Sequence, residues 1–406
     1  MTQNPTPAPW RVFLPVSLGT GLSLIGDASL YVVLPTHFQD AAISLAAVGV
    51  MLSANRFIRL ALNGPVGILY DRLPRRRLFV PALFLGALST AIYAFTLGFW
   101  PLLLGRLLWG IAWVGIWVGG NTLMLDISRQ ENRGRWVGLY QISFFLGGAG
   151  GAILGGFLTD WLGYHPAMGV GAALTLLGAV LALLFLPETR PTPLDDPAPG
   201  GTEPLPPPSP VSHRAELGSA FSLLGANRLA ISGMLLPTFG LFLQTHLGDT
   251  ARFASMTLGV ATLTGLALGA NGLISMVAAP AFGNLSDKTR SRWPVAAGGL
   301  LPGVAGFVLL ALALPAAPFL AIPLTAVTGG SNQSLATAII GDLSTSRQRG
   351  RRLGILFTVG DFASAVGPPL AYALIPRLGI TAVYGLCLAI FSAMFAVALG
   401  WSATRR

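Results

Sequence analysis

The sequence predicts an all-α polytopic membrane protein with twelve transmembrane helices, arranged as two six-helix bundles related by a parallel repeat. First, 53% of the 406 residues are apolar and only 10% are charged, with a mean hydropathy of +0.68; soluble domains carry about 25% charged residues. Second, the apolar residues form blocks of about 20, the length at which a helix crosses a bilayer. Third, the two halves of the chain share landmarks at one constant spacing.

The repeat consists of polar and glycine landmarks that return after 216 residues. The pairs are Asn55 and Asn271, Gly67 and Gly283, Asp71 and Asp287, Asp126 and Asp342, and Gly151 and Gly367. A constant offset across about 300 residues is difficult to obtain by chance. The chain is therefore predicted to contain two related halves that run in the same direction.

Twelve apolar blocks predict the helices and divide the chain into three parts. They cover residues 12–35, 44–69, 78–98, 101–124, 136–159, 164–186, 229–247, 255–282, 294–314, 318–340, 353–375 and 378–400. Residues 1–186 form the predicted N-terminal bundle and residues 228–406 the C-terminal bundle. Ten of the 24 residues from Pro187 to Pro210 are proline. Such a composition cannot pack a core, so 187–227 is predicted to be a flexible linker.

The basic residues predict which side of the membrane each turn faces. With the N-terminus inside, twenty Arg and Lys residues fall in cytoplasmic segments, and only Arg252 and Arg377 fall outside. This asymmetry follows the positive-inside rule and places both termini and the linker in the cytoplasm. The chain has 24 Arg and one Lys, a bias that suggests a bacterium. The predicted location is therefore the inner (plasma) membrane.

The composition argues against several other classes of protein. The net charge of +10 lies in the turns between spans, so it does not indicate a nucleic-acid partner. The single cysteine, Cys387, permits no internal disulfide. The four histidines lack metal-ligand spacing, and the chain has no phosphate-binding loop. We predict no metal and no cofactor beyond a coupling proton, and a monomer whose partners are the bilayer and a small-molecule substrate.

Four motifs resemble those of the major facilitator superfamily, across nearly the whole chain. The turn after the second span resembles the family signature Gly-x-x-x-Asp-Arg-x-Gly-Arg-Arg, with Pro74 at the second Gly. Arg106, followed by a Gly four residues later, resembles the fourth-span motif. The fifth-span glycines resemble the antiporter motif, with Ala152 at its central Pro. The Pro-Glu-Thr at 187–189 is similar to the usual exit from span six.

The resemblance implies two bundles that rock around a central cavity and expose a midplane site to each side in turn. Charges at the cytoplasmic ends of spans two, four, eight and ten would form ion pairs when that side closes and break them when it opens. The residues implied in this latch are Gly67, Asp71, Arg72, Arg75, Arg76, Asp126, Arg135, Gly283, Asp287, Asp342 and Arg351. The alternative is that these residues fix the topology and cap helices.

Five charged residues within predicted spans are candidates for binding a substrate or a coupling ion. They are Asp27, Arg56, Arg59, Arg106 and Asp361. A charge at the midplane costs several kcal/mol unless it is paired or faces water. Three Arg against two Asp leave one positive charge, which would suit an anionic substrate, and the two carboxylates are the predicted proton sites. The alternative is that Arg56 or Arg59 snorkels, or pairs with Asp27 only to hold the bundle together.

Uncharged residues extend this candidate set. The amides predicted to line the cavity or to bridge helices are Asn55, Gln141, Gln244 and Asn271, with Asn121, Asn332 and Gln333 beside them. The small residues spaced for close helix packing or for bending are Gly147, Gly151, Gly155 and Gly156. A one-sided aromatic stripe, which suits packing more often than substrate stacking, contains Trp109, Trp113 and Trp117.

The leading functional prediction is a secondary active transporter that exports small organic molecules, drug-like or metabolic, in exchange for protons. The alternative within transport is uptake or exchange of an organic anion bound by the intramembrane arginines. An integral-membrane enzyme is a different class, and the chain lacks His-Glu-x-x-His and Gly-x-Ser-x-Gly motifs. A receptor or lipid-handling protein on the same scaffold is a third class, which flux and lipid assays would distinguish.

Overall fold

The computed structural model describes residues 8–128, 132–189, 211–253, 256–289, 291–314, 317–344 and 346–404. The N-terminal half contains α1 (Pro9–Val33), α2 (Leu45–Arg72), α3 (Arg75–Phe95), α4 (Phe99–Asp126), α5 (Arg133–Leu162) and α6 (Tyr164–Phe185). Each is long and apolar enough to cross a membrane. The six predicted N-terminal spans are therefore present as six helices.

The C-terminal half repeats this pattern and adds a short hairpin. Three consecutive segments, Val211–Asn227, the π-helical Arg228–Leu235 and Leu236–Leu247, together form α7. The antiparallel strands are β1 (Thr250–Phe253) and β2 (Met256–Gly259). The remaining helices are α8 (Val260–Lys288), α9 (Arg292–Ala311), α10 (Ala317–Asp342), α11 (Ser346–Leu378) and α12 (Ile380–Thr404).

The described part of the chain therefore has twelve helices of membrane-spanning length. Eleven of them also have the hydropathy of a membrane span. The twelfth, α10, has 26 residues but carries a polar run at residues 331–334. Its position between α9 and α11 in the bundle is that of the tenth span.

The boundary between the predicted linker and the C-terminal half requires a correction. The sequence assigns residues 187–227 to the linker, but α7 begins at Val211 and its first segment is 17 residues long. Ala220, Leu223 and Leu224 in this segment are buried in the C-terminal core. Burial of these side chains stabilises a helix that the mixed polar and apolar sequence does not indicate. The proline-rich residues 190–210 lie outside the described part of the chain.

Equivalent turns close the two halves at positions that the repeat relates. Gly163 (φ +88°) joins α5 to α6, and Gly379 (φ +82°) joins α11 to α12. The two glycines are 216 residues apart. Glycine adopts this left-handed backbone without the steric cost that a Cβ would add, which permits a one-residue connection between antiparallel helices. The repeat therefore extends to backbone conformation.

Two helix pairs join the halves, since α2 packs against α11 and α5 against α8. Gly49 on α2 lies against the backbone at Pro368, and Gly265 on α8 lies against the carbonyl of Ala152. Small residues permit this close backbone approach. These contacts lie away from the arginine-rich turns. We call that side of the molecule the far end, and the side with the turns after α2, α4, α8 and α10 the basic end.

At the basic end the two halves separate. A Cβ placed on Gly64, Gly67 or Gly283 would meet no atom within 4 Å, and Asn63 and Asn284 beside them are exposed. Among the described residues, each ion pair at this end joins two residues of the same half. The close contacts at the far end and the exposed residues at the basic end indicate a cavity between the halves that is closed at the far end and open at the basic end.

The glycines of α5 form contacts with both halves. Gly147, Gly151 and Gly155 face α1, and Gly156 faces Ala261 on α8. A side chain at any of the four would overlap atoms of the facing helix. Helix α5 can therefore lie in close contact with α1 and α8 at the same time.

Replacing Gly151 by Val is expected to destabilise the protein, because a Cβ there would lie 2.6 Å from Ile25 Cα. Overpacking of this kind typically costs about 1–3 kcal/mol, so the midpoint of thermal unfolding in detergent should fall. Gly150→Val is the matched control, since a Cβ at Gly150 meets no atom within 4 Å. Equal midpoints for the two variants would contradict close packing of α5 against α1.

Candidate functional site

Asp27 and Arg106 form a buried ion pair between α1 and α4. The Arg106 Nη1 donates to Asp27 Oδ1 at 2.5 Å, and the two side chains are 0% and 14% exposed respectively. Arg106 Nε also donates to the Met51 carbonyl at 2.8 Å. An unpaired guanidinium at this position would be strongly destabilising. Asp27 therefore acts as the counter-ion of Arg106.

Tyr31, one helical turn beyond Asp27 on α1, lies between two arginines. The guanidinium carbons of Arg56 and Arg106 are each 5.3 Å from its ring centroid, a distance at which cation–π attraction operates. Arg106 Nη2 donates to the Tyr31 hydroxyl at 3.2 Å, and that hydroxyl donates to the Leu52 carbonyl at 3.0 Å. Tyr31 therefore connects the Asp27–Arg106 pair to Arg56.

Arg56 and Arg59 extend from α2 to the C-terminal half. Arg56 Nη1 donates to the carbonyl of Ser232 on α7 at 3.1 Å, and to the carbonyl of Ser364 on α11. Arg59 Nη2 pairs with Asp361 on α11 at 3.1 Å, with the two side chains 21% and 23% exposed. The ion pair lies at the level where α2 and α11 begin to separate, so both side chains reach the open cavity.

A third arginine, Arg228, stands beside this ion pair. It is partly buried at the start of the π-helical segment of α7, and its side chain lies close to Gly360 on α11. Asp361 attracts Arg228, while Arg56 and Arg59 repel it. Three guanidiniums therefore lie in the neighbourhood of one carboxylate, which Arg59 contacts directly, and they leave an excess of two positive charges. We call these four residues the arginine cluster.

Close packing of α7 on α11 brings the cluster together. Gly233 on α7 lies against Gly367 on α11, and a Cβ on either would meet the backbone of the other. Gly233 lies in the π-helical segment that begins at Arg228. Single π-helical turns within longer helices occur frequently at functional sites. Here the segment presents both Arg228 and the carbonyl of Ser232 to the charged centre.

The predicted cavity amides do not all lie in one place. Asn55 and Asn271, which the repeat relates, are both buried, and Asn271 Nδ2 has no hydrogen-bond partner among the described residues. Gln141 is partly buried on α5. The prediction that Gln244 lines the cavity is wrong, because its Nε2 donates to Asp249 Oδ1 at 2.8 Å in the last turn of α7, at the far end.

The predicted latch residues of the N-terminal half contact one another at the basic end. Arg75 Nε donates to Asp126 Oδ2 at 3.2 Å, and the Thr189 hydroxyl donates to the same oxygen at 2.9 Å. The backbone N–H groups of Arg75 and Arg76 donate to the Glu188 carboxylate at 2.8 and 3.1 Å. This network joins the start of α3 to the ends of α4 and α6.

The C-terminal half contains a similar network. Arg292 pairs with Asp287 and, at 2.8 Å, with Asp342. The remaining latch charges whose side chains are exposed at this end are Asp71, Arg72, Arg135 and Arg351. Because the ion pairs described at this end stay within one half, they do not hold the halves together in this arrangement. An exchange of partners when the basic end closes stays a prediction.

A carboxylate of α5 caps helix α8 at the far end. Asp160 Oδ2 accepts a hydrogen bond from the Thr262 backbone N–H at 2.7 Å. The N-cap residue of α8 is Gly259, and a Cβ there would overlap the Asp160 carboxylate. The free N–H groups and the dipole of a helix N-terminus stabilise a carboxylate in this position. This contact joins the two halves and contributes to closure of the far end.

Replacing Asp160 by Ala is expected to let the far end open more often, since loss of a helix cap typically costs about 0.5–2 kcal/mol. Cys387 is buried, so a cysteine introduced as Thr262→Cys would report opening through maleimide labelling. We expect this cysteine to be labelled several-fold faster in the Asp160→Ala variant than in the protein that keeps Asp160. Asp249→Ala is the control, because that carboxylate binds Gln244 near the same end. Labelling no faster than in the control would show that the cap does not keep the far end closed.

The tryptophan stripe of α4 packs within the N-terminal half. Ring centroids are 6.0 Å apart for Trp109 and Trp113 and 5.7 Å apart for Trp113 and Trp117. Trp109 and Trp113 are buried, and Trp117 contacts Tyr140 and Phe144 on α5. The stripe therefore stabilises contacts of α4 with its neighbours.

Sequence reasoning did not identify Tyr31, Arg228 or Asp160. Arg228 was assigned to a cytoplasmic segment, but the structure places it inside α7, because the helix starts before the apolar pattern does. Tyr31 carries a signal in the sequence, since a residue four positions after Asp27 lies on the same helix face. Asp160 carries none, because its partner is a backbone N–H of the other half.

The fold and the site define a class of protein. Twelve membrane-length helices in two related halves, a charged midplane and a cavity open at one end are the architecture of an alternating-access transporter. A family model described as Major Facilitator Superfamily matches residues 16–324 and 230–406. The chain belongs to the major facilitator superfamily, and the all-α polytopic fold predicted from the sequence is confirmed. As predicted, the family indicates a transporter and not an enzyme.

Several named transport and resistance proteins are similar to this chain at low identity. The chain is 25% identical over 369 residues to "Tetracycline resistance protein, class C" of Escherichia coli, covering 88% of each. It is 27% identical to "Probable 4-methylmuconolactone transporter" of Cupriavidus pinatubonensis, covering 50% of this chain and 45% of that protein. It is 29% identical to "4-hydroxybenzoate transporter PcaK" of Pseudomonas aeruginosa, covering 45% and 41%. The chain therefore spans under half the length of the last two.

A solved structure shares the fold over nearly the whole chain. It is a bacterial homologue of the human lysosomal transporter Spinster in an inward-facing and occupied conformation, with a TM-score of 0.77, 15% identity and 95% of each chain covered. At this identity the likeness concerns the fold alone.

Proposed function

We propose that this chain is a secondary active transporter that carries a small organic anion together with protons. The observation behind this proposal is the arginine cluster, in which Arg59 pairs with Asp361 while Arg56 and Arg228 lie near that pair without a carboxylate of their own among the described contacts. In a partly desolvated site, electrostatic forces are several times stronger than in water. An excess of two positive charges therefore attracts an anion and repels a cation. Of the two substrate classes predicted from the sequence, the geometry favours the anion.

Arg59 is the residue best placed to hold a carboxylate of the substrate. A guanidinium binds a carboxylate through two parallel hydrogen bonds, and Arg59 Nη2 contacts both oxygens of Asp361, at 3.1 and 3.2 Å. A substrate carboxylate would compete with Asp361 for this arginine. Protonation of Asp361 removes the competitor, so proton binding and anion binding favour each other by the same factor. The two are then carried in the same direction.

The position of the cluster suits alternating access. It joins α2 of one half to α7 and α11 of the other, at the inner limit of the cavity. The cavity opens at the basic end, which the positive-inside rule assigns to the cytoplasm. Rocking of the halves would close this end and open the far end around the same site. One chain contains the whole cluster, so a monomer in the inner membrane suffices for transport.

The names of two relatives support the proposal that the substrate is a small organic molecule. They are named as transporters of 4-hydroxybenzoate and, probably, of 4-methylmuconolactone. The second candidate function is export of drug-like molecules or metabolites in exchange for protons. It is favoured by the similarity to a tetracycline resistance protein over 88% of the chain, together with the Asp27–Arg106 pair. In that candidate, Asp27 would be the proton site.

Proton flux in liposomes distinguishes the two candidates. With a pH gradient imposed, 4-hydroxybenzoate, other small carboxylates and the lipophilic cation tetraphenylphosphonium are added in turn, and the internal pH is followed. We expect carboxylates to cause proton movement with the wild-type protein and far less with Arg59→Gln. Arg252→Gln, on the exposed hairpin, is the matched control. Proton movement caused only by the cation would overturn the anion proposal and support the second candidate.

A further inference from the structure

We infer that Tyr31 couples protonation of Asp27 to anion binding at the arginine cluster, an inference that rests on the proposed function. The geometry behind it is a single aromatic ring shared by two guanidiniums, those of Arg56 and Arg106, each 5.3 Å from the ring centroid. One guanidinium belongs to the buried ion pair with Asp27. The other belongs to the arginine cluster and extends to the C-terminal half.

The two arginines differ in how their charge is neutralised. Arg106 has a carboxylate at 2.5 Å. Arg56 donates to two backbone carbonyls, at Ser232 and Ser364, and contacts the Tyr31 ring. While Asp27 is ionised, its charge neutralises that of Arg106, so the attraction between Arg106 and the Tyr31 ring is weak. The ring can then stabilise Arg56 through cation–π attraction. Arg56 is then held against α7 and α11.

Protonation of Asp27 changes this balance. Arg106 stays charged, because a guanidinium does not lose its proton in a protein, but it loses its counter-ion. Its remaining described partners are the Met51 carbonyl, the hydroxyl and ring of Tyr31, and the side chain of Tyr93. The unneutralised charge then acts on the same ring as Arg56 and repels it. We expect Arg56 to be released from the ring and to become available to an anion in the cavity.

The groups around Asp27 indicate that Tyr31 is the direct connection between the Asp27–Arg106 pair and Arg56. The ionisable side chains that act on the Asp27–Arg106 pair among the described residues are Tyr31 on α1 and Tyr93 on α3. Tyr93 is buried and accepts a hydrogen bond from Ser89 on its own helix at 3.1 Å. Between α1 and α5 the contacts include Gly147, Gly151 and Gly155, which carry no charge, and Tyr140, whose hydroxyl contacts Thr20 seven residues before Asp27. Tyr31 alone of these groups also contacts Arg56.

The test measures how strongly acidification tightens binding of 4-hydroxybenzoate to the purified full-length protein, by titration calorimetry. All variants carry Asp361→Asn, so that the pH dependence that is left does not come from that carboxylate. We expect the Asp361→Asn protein to bind about tenfold more tightly at the acidic end of the range, within the span typical of coupled sites. Tyr31→Leu should reduce this factor to below about twofold, and Tyr31→Phe, which keeps the ring, to an intermediate value.

Tyr140→Leu is the matched control, because Tyr140 is a buried tyrosine of the same half whose hydroxyl contacts Thr20 at 3.1 Å. Its pH-driven tightening should equal that of the Asp361→Asn protein. A role of Tyr31 in packing alone would lower thermal stability and leave the tightening factor unchanged, as would be expected for Tyr140. Full tightening in Tyr31→Leu, or none in the Asp361→Asn protein, would overturn the inference.

The two proposals fail in different ways. If the wild-type protein binds no carboxylate at any pH, the proposed function fails and the coupling inference fails with it. If the wild-type protein binds carboxylates, and Tyr31→Leu retains the pH dependence of its Asp361→Asn parent, only the inference fails. If Tyr31→Leu binds no probe at all, the Tyr31→Phe variant decides. A tightening factor equal to that of the Asp361→Asn protein contradicts the inference, and a factor below half of that value supports it.

Discussion

Replacing Asp27 by Asn is expected to destabilise the N-terminal half by about 3–5 kcal/mol, the usual cost of removing one partner of a buried ion pair. The Arg106 side chain is 0% exposed, so water cannot replace the lost carboxylate. Its remaining described partners, the Met51 carbonyl and the side chains of Tyr31 and Tyr93, carry no full charge. Thermal unfolding in detergent should therefore begin at a markedly lower temperature.

A second substitution separates loss of charge from loss of shape. Asp27→Asn combined with Arg106→Gln removes both charges and should recover most of the lost stability, because no uncompensated ion is left in the bundle. Asp40→Asn is the control, since Asp40 lies exposed in the turn after α1. An Asp27→Asn variant as stable as the control would show that Arg106 has another counter-ion.

Arg59 and Asp361 form the ion pair between the halves. Replacing Arg59 is expected to lower the affinity for the anion, and replacing Asp361 is expected to raise it. Arg59→Gln removes the guanidinium proposed to hold the substrate carboxylate, and affinity should fall about thirtyfold, or about 2 kcal/mol. Asp361→Asn removes the competitor of the substrate, so affinity should rise and depend less on pH. Release of the anion would then be slower, and net transport should fall in both variants.

Binding of a carboxylate probe and transport in liposomes, measured on the same preparations, check this pair of predictions. The side chains of Arg59 and Asp361 are 21% and 23% exposed, so both can reach a ligand in the cavity without unfolding of the bundle. Arg252→Gln and Asp249→Asn, at the far end, are the controls for loss of one charge. If both cluster variants lowered affinity, the ion pair would be structural and the substrate would bind elsewhere.

The intramembrane charges were identified from the sequence because burying a charge in a bilayer is costly wherever it occurs. Asp27, Arg56, Arg59, Arg106 and Asp361 follow from this argument, but the alternative in which Arg56 or Arg59 pairs with Asp27 is wrong. The partner of Asp27 did not follow, since depth along a helix does not determine the direction of a side chain. The structure pairs Asp27 with Arg106 and directs Arg59 to the other half.

Two errors of the sequence analysis, at Arg228 and Gln244, have a common physical cause. Arg228 lies in a helix that starts within a mixed polar and apolar stretch, where packing against the C-terminal core outweighs local hydropathy. Gln244, predicted to line the cavity, lies in the last turn of α7 and instead binds Asp249, which follows that helix. In both cases the error arose at the end of a helix, where sequence patterns are least informative.

The sequence by itself determined the class of fold, the repeat and the inventory of buried charges. These follow from the length of apolar blocks, the spacing of landmarks and the cost of a charge in the membrane, all of which are properties of the chain read in order. Only the tertiary structure decided which charges meet. Contacts between α2, α7 and α11 join residues separated by 176 to 308 positions, and the direction in which each side chain points depends on how the helices pack.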